Sequence, residues 1–98
     1  MNMQAMLKQA QKLQKEMLET QNEINEKEFT GKSSIVTVKM NGEKKLLNVK
    51  IDSDQLEKDD IELLEDMIVV AINDAIDQIN KETENKMGKY TKGMPGLF

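Results

Sequence analysis

Histidine, cysteine, arginine and tryptophan are all absent from the 98 residues. Without His and Cys the chain has no His/Cys zinc site, no thiol nucleophile, no Ser-His-Asp triad and no disulfide. Acidic residues are plentiful, but paired carboxylates do acid–base chemistry only inside a desolvated cleft that shifts their pKa values. A chain this short has little room for one, because it buries only about 60–70% of the surface its unfolded form exposes. Gly88, Gly93 and Gly96 cluster near the C-terminus, without the preceding strand and following helix of a phosphate loop. The expectation is a binding protein, not an enzyme, with no catalytic residue, metal, cofactor or small-molecule substrate.

Long apolar runs are lacking too. No stretch of 18 apolar residues exists, and the opening MNMQAMLKQAQ lacks the order of a signal peptide. A cytoplasmic protein without a membrane partner is expected, folded as one domain.

What is present falls into three segments. Met3, Met6, Ala10, Leu13, Met17, Thr20 and Ile24 recur in alternating steps of three and four. This heptad seam predicts a helix over 3–27, with only Thr20 out of character. Its stripe is narrow and needs a partner surface.

Over 28–52 the period changes to two. Val36, Val38 and Met40 alternate with polar residues, as do Leu47, Val49 and Ile51. Asn41-Gly42 between the runs predicts a type I′ hairpin, whose two central residues need positive φ. A short strand at 28–30, broken by Gly31, would make a small antiparallel sheet of two to three strands.

Helical spacing returns over 59–87, where Asp59-x-x-Glu62 resembles a capping box. Ile61, Leu64, Ile68, Ala71, Ala75 and Ile79 form one stripe, widened by Leu63, Met67, Val70 and Ile72. A helix apolar over so much of its circumference needs cover on more than one side. One hairpin and one narrow helix cannot supply it, but a second copy of the chain could. A homodimer is therefore expected, with Val36, Val38, Leu47, Val49, Ile51, Leu64, Ile68 and Ile72 in a core shared by two chains. Gly88 should end the helix, leaving 88–98 (GKYTKGMPGLF) as a flexible tail. The fold class is α+β: helix, antiparallel sheet, helix.

The net charge of −4 argues, taken alone, against a polyanion partner. Its distribution argues the other way. Residues 1–15 carry Lys8, Lys12 and Lys15 and no acid, +3; residues 81–98 carry +2; residues 16–80 carry −9. If the helices run antiparallel, both basic segments meet at one end, beyond an acidic body. Lys near the end of the second helix is what the helix dipole favours. In the first helix the order is reversed, with Lys in the N-terminal half and Glu16, Glu19, Glu23 and Glu26 in the C-terminal half.

LKQAQKLQKEM (7–17), LLEDMIVVAINDA (63–75) and the ending GMPGLF (93–98), with VKID (49–52) after the Asn-Gly turn, together resemble the YbaB/EbfC family of bacterial nucleoid-associated proteins over essentially the whole chain. The resemblance implies an intertwined, tweezer-like homodimer whose helical jaws bind double-stranded DNA with little sequence preference, in the nucleoid. By that analogy and the charge map, Lys8, Lys12, Lys15, Lys86, Lys89 and Lys92 would face phosphate. The absence of Arg removes bidentate guanine reading. Phe29, Tyr90 and Phe98, the only aromatics, give little scope for base stacking. A different class has a similar layout: prefoldin-type chaperone subunits, whose helical arms hold clients by apolar tips, a role that Met1, Met3 and Met6 would suit.

Overall fold

The computed structural model describes residues 2–93, with side chains as far as Tyr90. The chain runs α1 (Met3–Glu26), β1 (Glu28–Ser33), β2 (Val36–Asn41), β3 (Leu46–Ile51), a 3-10 turn (Lys58–Asp60) and α2 (Ile61–Gly93). The sheet is antiparallel in the order β1-β2-β3.

Helix α1 starts where the Asn2 side chain accepts from the Gln4 amide at 3.0 Å, the usual role of Asn at an N-cap. It packs antiparallel on α2, and two contacts fix the alignment. Lys27 pairs with Glu82, and Thr20 Oγ1 meets the Tyr90 hydroxyl at 3.4 Å. This explains the one polar residue of the seam, since Thr20 partners a buried tyrosine. Extending the alignment puts Gly93 abreast of about Met17 at 1.5 Å of rise per residue, so residues 3–16 project past α2 as an arm. The 33 residues of α2 span about 50 Å and the arm about 21 Å. Together they account for the 71 Å long axis of a molecule only 21 by 14 Å across.

The core is built from Ile24 of α1, Phe29, Val36, Val38 and Met40 of the sheet, and Ala71, Ala75 and Ile79 of α2. Helix α2 lies across β1 and β2 and does not reach β3. Pairing of Val38 with Val49 and of Val36 with Ile51 puts the apolar residues of β3 on the same face, yet Leu47, Val49 and Ile51 are 45%, 40% and 36% exposed.

Four local expectations are corrected. Gly31 does not break β1 but lies inside it, buried and paired with Val38. A Cβ there would fall on the Ala71 carbonyl oxygen and crowd Ala75, so glycine lets the strand lie directly on the helix. Asn41-Gly42 does not form a two-residue turn. The loop has three residues, closed by Lys44 N–H to Asn41 O at 2.9 Å and Asn41 N–H to Lys45 O at 3.0 Å. The positive φ falls on Lys44, at 67°, as in a type I turn followed by a left-handed residue. Asn41 Oδ1 accepts from Glu43 and Lys45 amides, both at 3.0 Å. Gly42 is needed for a different reason: a Cβ would strike the Ile24 carbonyl oxygen at the end of α1.

The capping box forms earlier than expected, between Glu57 and Asp60. The 3-10 turn continues directly into α2, which leaves Asp59 already inside the helical stretch. Finally, α2 does not stop at Gly88 but continues to Gly93. Glycine costs a helix about 1 kcal/mol, and burial of Tyr90 against α1 offsets that. Of the expected 88–98 tail, residues 94–98 lie outside the described residues.

Candidate nucleic-acid interface

The five lysines whose side chains are described do not form one cluster. Lys8, Lys12 and Lys15 are exposed on the arm of α1. Spacings of four and three put them along one side of the helix, over a length of about 10 Å. No acid precedes Glu16, and among the described residues none of the three forms an ion pair. Helix 3–26 has no acid in its first turn and no base in its last, so the dipole does not account for their placement.

Lys86 and Lys89 sit lower, abreast of Thr20 and Glu23, with which they border a shallow groove between the helices. The Lys86 ammonium lies 4.0 Å from Glu82, and that of Lys89 stands 4.9 Å over the Tyr90 ring. The hydrogen bond from Lys27 holds the Glu82 carboxyl below its ordinary range against a smaller opposing effect of desolvation, and the charges of Lys27 and Lys86 add to the lowering. These two cations are partly spent within the chain. Lys92 belongs to α2, but its side chain lies outside the described residues.

The residues expected in a shared core also divide. Val36 and Val38 are fully buried within the chain's own core, so they need no partner; burial by α2 accounts for them. Leu64, Ile68 and Ile72 pack half-buried against that core. Leu47, Val49 and Ile51 are exposed, as are Leu46, Leu56, Ile61, Leu63, Val69 and Val70. Apolar side chains exposed in such number along one strand and one helical segment mark an interaction surface. Tyr90, which the seam pattern did not single out, is the buried anchor between the helices. The polar Thr20 in an apolar register was its only trace in the sequence.

The free edge of β1 is closed by α2: Gln78 Nε2 donates to Thr30 O at 2.7 Å, and the Lys32 amide donates to Asp74 Oδ2 at 3.0 Å. Side chains replace a neighbouring strand there. The edge of β3 has no such cover among the described residues. No described helix is long and apolar enough to cross a membrane, and no described group of three or more acids is placed to hold a metal ion.

The profile of the YbaB/EbfC DNA-binding family matches residues 1–94. A nucleoid-associated protein of Enterococcus faecalis is 46% identical over 98 residues, covering 98% of this chain and 94% of that one. One from Lactococcus lactis is 50% identical over 97 residues, covering 97% and 98%. An uncharacterised Helicobacter pylori protein of known crystal structure superposes with a TM-score of 0.73 at 22% identity, over 92% of this chain and 97% of that one, and so shares the fold. The match over nearly the full length, with two relatives near half identity, assigns the chain: it belongs to the YbaB/EbfC DNA-binding family, a family of DNA-binding proteins and not of enzymes.

Proposed function

We propose that the protein is a cytoplasmic, nucleoid-associated homodimer that binds duplex DNA by its phosphates, with little regard to sequence. The observation that carries this is the arm of α1, which projects beyond α2 with three exposed lysines, no acid before Glu16 and no ion pair among the described residues. The relatives' name, nucleoid-associated protein, supports the same partner. Lysine supplies hydrated point charges and not the planar fork that reads guanine, which favours backbone contact over base recognition.

The dimer is supported by the uncovered apolar surface. Leu47, Val49 and Ile51 of β3 are exposed, as are Ile61, Leu63, Val69 and Val70 of α2, and a second copy would cover both. Because the β1 edge is capped and the β3 edge is open, the partner approaches from the β3 side. Sedimentation equilibrium should find a dimer, and a folded monomer at micromolar concentration would sink that part.

A titration of random-sequence duplex at several salt concentrations tests the binding. Release of counterions gives a log–log slope of about −0.9 per phosphate neutralised, so about three to six such phosphates per dimer give a slope between roughly −3 and −5. Absence of binding at about 50 mM salt, where phosphate contacts are strong, would remove the reading. Exposed Met3, Met6 and Leu7 on the arm would then favour the other class, an arm that grips protein clients.

A further inference from the structure

The charge of −9 over residues 16–80 suggests an acidic body that DNA avoids. Within that stretch, two adjoining segments carry opposite signs. Residues 27–51 hold six lysines and two acids, +4, while residues 52–66 hold eight acids and one lysine, −7. The acids lead into and begin α2; of the lysines, Lys32, Lys39 and Lys50 lie in the strands, Lys27 caps α1, and Lys44 and Lys45 are in the hairpin loop.

Strand register decides where they point. Phe29, Gly31, Val36, Val38 and Met40 face α2 and are buried. The alternate residues form the opposite face, and pairing aligns them in rows. Lys32, Thr37 and Lys50 make one row across the three strands, and Thr30, Lys39 and Asn48 the next. Neighbouring strands lie about 4.8 Å apart, so Lys32 and Lys50 are about 10 Å apart, with Lys39 in a row about 7 Å away. All three lysines are exposed, and among the described residues none is in an ion pair. Lys44 and Lys45 follow in the hairpin loop, and the acids nearby are Glu28 at one corner, Glu43 in the loop, Asp52 just past β3 and Asp74 of α2, whose carboxylate accepts from the Lys32 amide.

We propose that this outer face of the sheet is a second surface for the phosphate backbone of duplex DNA, separate from the arm. The proposal rests on the DNA-binding reading above and adds a site to it. Solvation alone would be served equally by mixed signs, which also stabilise neighbouring strands. Here every charged residue in the two central rows is a lysine, and the positions between them are Thr30, Thr37 and Asn48, side chains that commonly donate to phosphate oxygens. Val49 and Ile51 lie on the face of β3 opposite to Lys50, so a second copy docked on them would leave this face open. Lys8 precedes Lys27, at the edge of the sheet, by 19 residues, about 29 Å of helix, or the length of roughly nine base pairs. The two surfaces therefore touch different phosphates.

The test uses the full chain, random-sequence duplex DNA and a series of salt concentrations. Lys32→Gln, Lys39→Gln and Lys50→Gln together should lower the steepness of the log–log slope by about one unit for each phosphate left unneutralised, and weaken binding at least about tenfold at low salt. The triple replacement by Arg should keep the wild-type slope, because only charge is required. Circular dichroism and sedimentation should match wild type for both. If the triple Gln protein is misfolded, Lys39→Gln alone should still reduce the slope by about one unit. An unchanged slope in the Gln variants, while Lys8→Gln with Lys12→Gln loses binding, overturns the second surface and leaves the arm intact. Equal losses in the Arg and Gln variants also overturn it, since packing would then explain the effect. A wild-type protein that binds no duplex at any salt removes both readings together.

Discussion

The two halves of α1 share one heptad seam and have opposite surroundings. From Met17 to Ile24 the seam lies on α2 and ends in Ile24, 1% exposed; from Met3 to Ala10 it faces solvent, with Met3 77% and Met6 52% exposed. Charge divides at the same place, three lysines before Glu16 and four glutamates from it onward. A periodic apolar stripe thus states that a face can be packed, while the length of the neighbouring element decides how much of it is packed. Here α2 runs out near Met17, and the rest of α1 becomes an arm.

The largest expected effect breaks this comparison at its core. Ile24→Ala should cost about 2–5 kcal/mol, because a fully buried aliphatic side chain leaves a cavity. Met6→Ala, on the same stripe, should stay within about 0.5 kcal/mol, as surface changes do. Urea denaturation of both variants measures the contrast. A large loss for Met6→Ala would mean that the arm is packed in solution, and the projecting-arm picture would fail.

A second pair separates binding from folding. Lys8→Glu with Lys12→Glu should abolish DNA binding, since each replaces an attraction to phosphate by a repulsion, and should leave the melting temperature and the sedimentation behaviour unaltered. Retained binding would move the DNA contact off the arm.

The same contrast shows which features were legible in the sequence. Elements with a long, strong period were: both helices, both strands of the hairpin, and the shared apolar face of Val36, Val38, Val49 and Ile51. The α+β order followed from them. Positions where one residue answers to a distant one were not. Gly31 looks like a strand break until Ala71 and Ala75 lie against it. Gly42 looks like half of a tight turn until the end of α1 is seen above it. Gly88 looks like a helix stop until Tyr90 packs beyond it. In each case local propensity, worth about 1 kcal/mol, yields to a tertiary contact. The arm lysines were legible because their charge is local. Their separation from Lys86 and Lys89 was not, because it depends on the relative lengths of two helices.

The smallest expected effect concerns the clasp that holds the packed half of α1. Glu82 joins Lys27 at the end of α1 to Lys86 on its own helix, and its carboxyl is lowered from the usual value of 4.5, first by the hydrogen bond from Lys27. A carboxyl whose pKa is lower in the folded state contributes stability above its unfolded pKa and loses that contribution as pH falls through the folded value. Glu82→Gln should therefore lower the melting temperature slightly at pH 7, and its difference from wild type should vanish once the pH is below the carboxylate range. The pair is solvent-exposed and screened, so the effect should also shrink in high salt. DNA binding at pH 7 should be equal to wild type or somewhat tighter, because Lys27 and Lys86 lose a competing anion. A difference in melting temperature that persists unchanged at low pH would show that the Glu82 stem packs between the helices, and that the ion pair does not hold the clasp.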